Sequence, residues 1–185
     1  MTVLFGGAFD PIHEAHLTIA QEVRRRFDFG NITFVPSGNP PHKSLDAPFE
    51  DRLEMARLAC EPAGFSVSDC ERGRPRGYTY DTLQDFPKPR TFIIGADAFA
   101  DIENWHRWRD VLRMTSWIVV TRPGHEYSVP DGASVLRLDG VALDVSSSDI
   151  RVALARGERP VGLPDSVYEY IAARGLYGSL ATIKG

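Results

Sequence analysis

Apolar residues fall in short runs separated by polar segments along the whole chain. Val3-Leu4-Phe5, Ile32-Thr33-Phe34-Val35, Thr91-Phe92-Ile93-Ile94 and Trp117-Ile118-Val119-Val120 are continuous and rich in β-branched residues, the mark of strands buried on both faces. Shorter runs at 65–67 and 134–138 predict two further strands. Between them the spacing turns helical. Leu17, Ile19, Ala20 and Val23 predict an opening helix, and Phe49, Leu53, Met55, Ala56, Leu58 and Ala59 predict one over 47–60, with core duties only. Thr79 or Asp81 is placed to cap a helix running to Phe86, Gly95 turns into another, Trp105 and Trp108 share a helix, and 152–156 reads as helical. Strands alternate with helices, and no repeat or low-complexity tract interrupts them. The expectation is one α/β domain over 1–185, a doubly wound parallel sheet with helices on both faces.

Composition narrows the setting. The longest apolar run is too short to span a bilayer, and no basic-then-apolar leader precedes the first strand, so a cytoplasmic protein away from membranes is expected. Cys60 and Cys70 fit no metal spacing and read as free thiols. A net charge of -4 argues against general nucleic-acid binding, so any polyanionic ligand must meet a local cluster of positive groups. Arg24-Arg25-Arg26 ends the opening helix, where cations suit the dipole; Arg72, Arg74 and Arg76 lie in a Gly/Pro-rich loop.

The chemistry concentrates in Gly6-Gly7-Ala8-Phe9-Asp10-Pro11-Ile12-His13-Glu14-Ala15-His16, where a strand runs through glycines and an Asp-Pro turn into a helix. His13 and His16 fall about one turn apart at a helix start, where N–H groups and the dipole already favour an anion. No Gly-Lys-Ser/Thr or Gly-x-Gly-x-x-Gly is present, and His13-Glu14-Ala15-His16 lacks the metalloprotease spacing, so no metal site is assigned. Two structural histidines are the plain alternative. Pro36 to Lys43 forms a loop after the second strand, with Lys43 a point charge for phosphate and His42 a second donor. Near the end, Ser146-Ser147-Ser148 precede a helix carrying Arg151, a set of caps and anion donors.

The opening stretch resembles the first motif of the nucleotidyltransferase superfamily, Gly-Gly-Thr-Phe-Asp-Pro-x-His-x-Gly-His, with Ala8 for Thr and Ala15 for Gly. Ser147-Ser148-Asp149-Ile150-Arg151 resembles its Ile-Ser-Ser-Thr-x-Ile-Arg motif, with Ser148 for Thr. Pro40-Pro41-His42-Lys43, Tyr78-Thr79-Tyr80-Asp81-Thr82-Leu83 and Trp105 resemble the nicotinate-nucleotide adenylyltransferase branch, as does the ending at Gly175-Leu176-Tyr177.

That resemblance implies a Rossmann-like fold of the nucleotidyltransferase α/β phosphodiesterase type, and adenylyl transfer from ATP to nicotinate mononucleotide in NAD biosynthesis. It implies ATP contacts at Gly6, Gly7, Ala8, Phe9, His13, His16, Gly95, Asp97, Ser147, Ser148 and Arg151. Nicotinate mononucleotide would meet Pro41, His42, Lys43, Tyr78, Thr79 and Trp105, the indole stacking on the pyridine ring. His13, His16, Lys43 and Arg151 would carry the chemistry, with Mg²⁺ accompanying ATP. The attacking phosphate monoester, with a second pKa of about 6, is already ionised, so neither a general base nor a covalent intermediate is required. A homo-oligomer is compatible with all of this. Pantetheine-phosphate adenylyltransferases and cytidylyltransferases share the first and last motifs but are disfavoured by Pro40 to Lys43, Tyr78-Thr79 and Trp105.

Overall fold

The structure is a computed structural model describing residues 1–40, 44–121, 127–141 and 145–179. Its strands are β1 (Thr2–Gly7), β2 (Ile32–Pro36), β3 (Ser66–Val67), β4 (Arg90–Gly95), β5 (Ser116–Val120) and β6 (Val135–Leu138). They form one sheet in the order β3-β2-β1-β4-β5-β6, every described pair parallel. The order turns back at β1, whose neighbours are β2 on one side and β4 on the other. A crevice therefore opens beyond Gly7 and Gly95, at the carboxyl ends of the two strands where the winding reverses.

Alternating side chains feed two cores. Val3, Phe5, Ile32, Phe34, Ile93 and Ile118 pack on one face, and Leu4, Val35, Phe92, Ile94, Trp117 and Val119 on the other. The first face is covered by α1 (Glu14–Phe27), α2 (Phe49–Cys60), α6 (Ser147–Ala155) and α7 (Asp165–Arg174), through residues such as Val23, Met55, Leu154 and Ile171. The second is covered by α3 (Thr79–Gln84), α4 (Ala96–Ala100) and α5 (Trp108–Met114), through Leu83, Phe99 and Leu112. Each fully buried Ile, Leu or Phe contributes about 2 kcal/mol, so the doubly covered sheet is a rigid platform for the loops at its carboxyl edge.

Several boundaries differ from expectation. The second helix starts at Phe49, because Pro48 supplies the extended residue before it. Neither Thr79 nor Asp81 caps α3: Tyr78 holds the N-cap position without a side-chain bond, and the helix ends at Gln84. Trp105 and Trp108 do not share a helix. Trp105 ends a 3₁₀ turn over Ile102–Asn104, and Trp108 opens α5 after Arg107 takes a left-handed conformation (φ 55°). The helix expected over 152–156 begins earlier, at Ser147, because the Ser146 side chain accepts the Asp149 N–H as a cap.

Arg25 and Arg26 pair with Glu22 at the end of α1, the solvated helix terminus that was expected. Cys60 and Cys70 are both free thiols. Among the described residues no helix is long and apolar enough to cross a membrane.

Candidate active site

The turn from β1 to α1 is held from outside. Arg52 Nη1 donates to the Ala8 carbonyl (2.7 Å), Arg151 Nη1 to that of Asp10 (2.8 Å), and Ser147 Oγ to that of Pro11 (3.0 Å). The buried Asp10 carboxylate accepts the Asp46 N–H (2.6 Å), the Ala47 N–H (3.1 Å) and the Tyr177 hydroxyl (2.6 Å). Burial, then the bond to Asp10, push the Tyr177 phenol far above its ordinary range, so it remains a donor. Helices α2 and α6 and the 3₁₀ turn Leu176–Gly178 thus converge on one short loop.

At that loop's exit, His13 is the N-cap residue of α1 and buried, while His16 is half-buried. Their rings lie 3.7 Å apart, inclined by 30°. His16 Nδ1 accepts the His13 N–H at 3.2 Å, which assigns the ring proton of neutral His16 to Nε2. Phe9 packs edge-on to His16 at 5.0 Å and fixes the ring from behind.

Beside this loop lies a cavity of about 410 Å³, lined by Gly6, Gly7 and Ala8, by Ser37 and Pro40 after β2, and by Glu71, Tyr78, Thr79, Trp105 and His106. Its size suits a mononucleotide-sized ligand. Tyr78 stacks on His106 at 4.4 Å, Arg76 Nη1 bonds the Tyr78 hydroxyl (3.2 Å), and the half-buried Trp105 packs edge-on to Trp117 at 6.4 Å. One wall is therefore flat and aromatic. Among the described residues no group of three or more His, Cys, Asp or Glu could hold a metal ion.

The Cytidylyltransferase-like family model matches residues 4–153. A probable nicotinate-nucleotide adenylyltransferase of Solibacter usitatus is 44% identical over 94% of this chain and 97% of its own length. The chain belongs to the nicotinate-nucleotide adenylyltransferase family. A probable nicotinate-nucleotide adenylyltransferase of Mycolicibacterium smegmatis is 40% identical over 93% of this chain and 90% of its own. The nicotinic acid mononucleotide adenylyltransferase of Plasmodium falciparum, solved in complex with NaAD, shares the fold. Its TM-score is 0.79 at 21% identity, over 96% of this chain and 97% of that one.

Against the site the family resemblance implies, the structure brings Ser147 and Arg151 to the first loop, and Tyr78, Thr79 and Trp105 to the cavity that Gly6, Gly7 and Ala8 also line. His13, His16, Ser147, Ser148, Arg151, Gly95 and Asp97 stand outside the cavity lining. Arg151 Nη2 reaches Ser148 Oγ at 3.5 Å, and Gly95 and Asp97 are exposed where β4 passes into α4. Asp97 does not cap that helix, whose N-cap position is Gly95. Pro41, His42 and Lys43 lie outside the described residues.

The Phe9 ring is a core group, 2% exposed, and does not line the cavity. Gly6 and Gly7 both line the cavity, and a side chain at either would also meet the protein's own aromatics: a Cβ on Gly6 would overlap the Phe92 ring, and one on Gly7 would stand 2.9 Å from the Phe9 ring.

Arg52 and Glu71 went unnoticed in the sequence, and Asp10 and Tyr177 were read only as members of their motifs, with no contact between them foreseen. Of the first two, only Arg52 carried a signal there, a charge on the apolar stripe of a helix three residues from both Phe49 and Met55. It is 1% exposed, and burial pulls its guanidinium down from the ordinary value, against the charges of Asp10, Tyr177 and Glu71.

Proposed function

We propose that this chain transfers the adenylyl group of ATP to nicotinate mononucleotide, releasing pyrophosphate and forming nicotinate adenine dinucleotide on the route to NAD. The observation that carries this reading is the joining of two half-sites by one short loop. Gly6 to Ala8 line the aromatic cavity, and a few residues on the same turn is bonded by Ser147 and Arg151 and leads into the His13–His16 pair.

The pyridine nucleotide occupies the cavity, its ring against Trp105 and its carboxylate at Thr79. ATP lies along the adjoining edge, its phosphates between His16, Ser147, Ser148 and Arg151 and its ribose towards Asp97. Lys43 and His42 are assigned to the phosphates on the strength of the family motif. An oxygen of the mononucleotide phosphate attacks the α-phosphorus of ATP in line. The bond to the bridging oxygen breaks, and pyrophosphate leaves with that electron pair. The nucleophile is already ionised, so no side chain need remove a proton. The protein aligns two mutually repelling polyanions and supplies donors where charge collects: Nε2–H of His16, the guanidinium of Arg151 and the amides at the start of α6. Mg²⁺ carried in with ATP would supply charge screening of the same phosphates that His16, Ser147, Ser148 and Arg151 face.

Pyrophosphate release from ATP, measured separately with nicotinate mononucleotide, nicotinamide mononucleotide and phosphopantetheine, and from CTP with the same acceptors, tests this. Release is expected chiefly with ATP and nicotinate mononucleotide. Stronger release with phosphopantetheine or with CTP would replace the reading by one of its relatives.

A further inference from the structure

We propose that Glu71 is a positioning residue for the pyridine-nucleotide half of the site, setting the separation of the two walls that receive that substrate; this rests on the function proposed above. Glu71 lies in the loop between β3 and α3 and is 6% exposed at the cavity wall. One carboxylate oxygen, Oε2, accepts the Gly38 N–H at 2.8 Å from the loop after β2. The other, Oε1, accepts the Thr82 hydroxyl at 2.6 Å from α3, one turn beyond Tyr78 and Thr79. A single side chain therefore ties together the loop that leads towards Lys43 and the helix that presents Tyr78 and Thr79.

The surroundings are shaped to this carboxylate. A Cβ on Gly38 would stand 2.5 Å from the Glu71 carbonyl, and one on Gly77 would stand 2.5 Å from Oε2, so a glycine yields on each side. The Gly77 N–H bonds the Asn39 carbonyl (2.8 Å) and Asn39 Nδ2 bonds the Pro75 carbonyl (2.7 Å), closing the junction above it. Below it, Arg52 Nη2 reaches the Gly38 carbonyl at 3.3 Å while Nη1 holds Ala8. An unbroken polar chain thus runs from the loop after β1 through Arg52, Gly38 and Glu71 to Thr82 and α3.

A buried carboxylate is a weak device for stability, since desolvation offsets what its bonds return. It is an effective device for fixing two backbone segments at one distance, because both oxygens demand donors at set positions. Both oxygens of Glu71 engage protein donors on two separate segments, so its effect on substrate passes through the loop after β2 and through α3.

Steady-state pyrophosphate release by the full chain, each substrate varied at saturating levels of the other, decides this for Glu71→Ala, Glu71→Gln, Thr82→Val and Thr82→Ser. Glu71→Ala and Thr82→Val are expected to raise KM for nicotinate mononucleotide about tenfold and to leave KM for ATP within about twofold. Glu71→Gln should restore most of the loss, its carbonyl accepting from Gly38 and its NH₂ donating to Thr82, which separates geometry from charge. Thr82→Ser should behave likewise. If Glu71→Ala fails to fold, Thr82→Val carries the test. Equal movement of both KM values, or a lowered Tm with both unchanged, overturns the positioning role while leaving the function intact. A wild type that releases no pyrophosphate with nicotinate mononucleotide overturns the function and this inference together.

Discussion

Arg151 and Asp10 are 141 positions apart in the chain and joined by a 2.8 Å hydrogen bond, the guanidinium Nη1 donating to the Asp10 carbonyl. The same guanidinium meets the Asp46 carboxylate through Nε at 2.5 Å. An arginine assigned to the ATP phosphates therefore also braces the loop that approaches them. One point charge cannot reproduce a planar fork bonded along two edges.

Arg151→Lys is accordingly expected to lower kcat/KM about 100-fold, the scale of losing an aligned donor, although the net charge is unchanged. With Arg151 26% exposed, its stability contribution is small, so Tm should fall by only a few degrees. Kinetics paired with thermal unfolding checks this, and near-normal turnover in the lysine variant would show that charge alone suffices.

His16 is oriented by the His13 N–H at Nδ1, and the proposed donor to a phosphate is its Nε2–H. His16→Ala should lose about two to three orders of magnitude in kcat with an unchanged circular dichroism spectrum. A variant of near-normal kcat would reduce the pair to structural histidines capping α1.

Trp105 offers a flat face at the cavity rim, packed against Trp117. Trp105→Ala is expected to raise KM for nicotinate mononucleotide about tenfold, in line with the loss of one aromatic stack, with little change for ATP. Trp105→Phe should recover part of that loss. Comparable effects on both substrates would refute the stacking assignment.

The strands were legible because a doubly covered parallel sheet makes each central strand a continuous apolar run, as in Thr91 to Ile94. The loop from β1 to α1 and the Ser147–Arg151 segment were legible through local motifs, each a few residues long. Arg52 was hidden because a helix read by its apolar positions discounts the charge between them, and that charge bonds carbonyls in two separate loops. Glu71 and the role of Tyr177 were hidden for a related reason. Their partners lie in other elements, Gly38 and Thr82 for one and the distant Asp10 for the other, and periodicity carries no information about contacts between elements. Helix starts shifted where one residue decided the boundary, as Pro48 did for α2 and Ser146 for α6.

Burial also gives the fold an alkaline limit. It pushes the Cys60 thiol from 9.0 up to about 12, and burial followed by the bond to Asp51 pushes the Tyr170 phenol from 10.0 up to about 12. The unfolded chain releases these protons at lower pH than the folded one, so it binds fewer protons and stability falls as pH rises. Tm is expected to hold near neutrality and to decline steadily between pH 9 and pH 12, the interval those values bound. A Tm that stays flat across that interval would contradict the burial of both groups.

The most direct measurement is the phosphorus NMR spectrum of the purified protein mixed with ATP, Mg²⁺ and nicotinate mononucleotide. Signals of a dinucleotide diphosphate should grow in step with free pyrophosphate while the mononucleotide phosphate disappears. Growth of AMP or ADP with the mononucleotide left untouched would contradict adenylyl transfer by this chain.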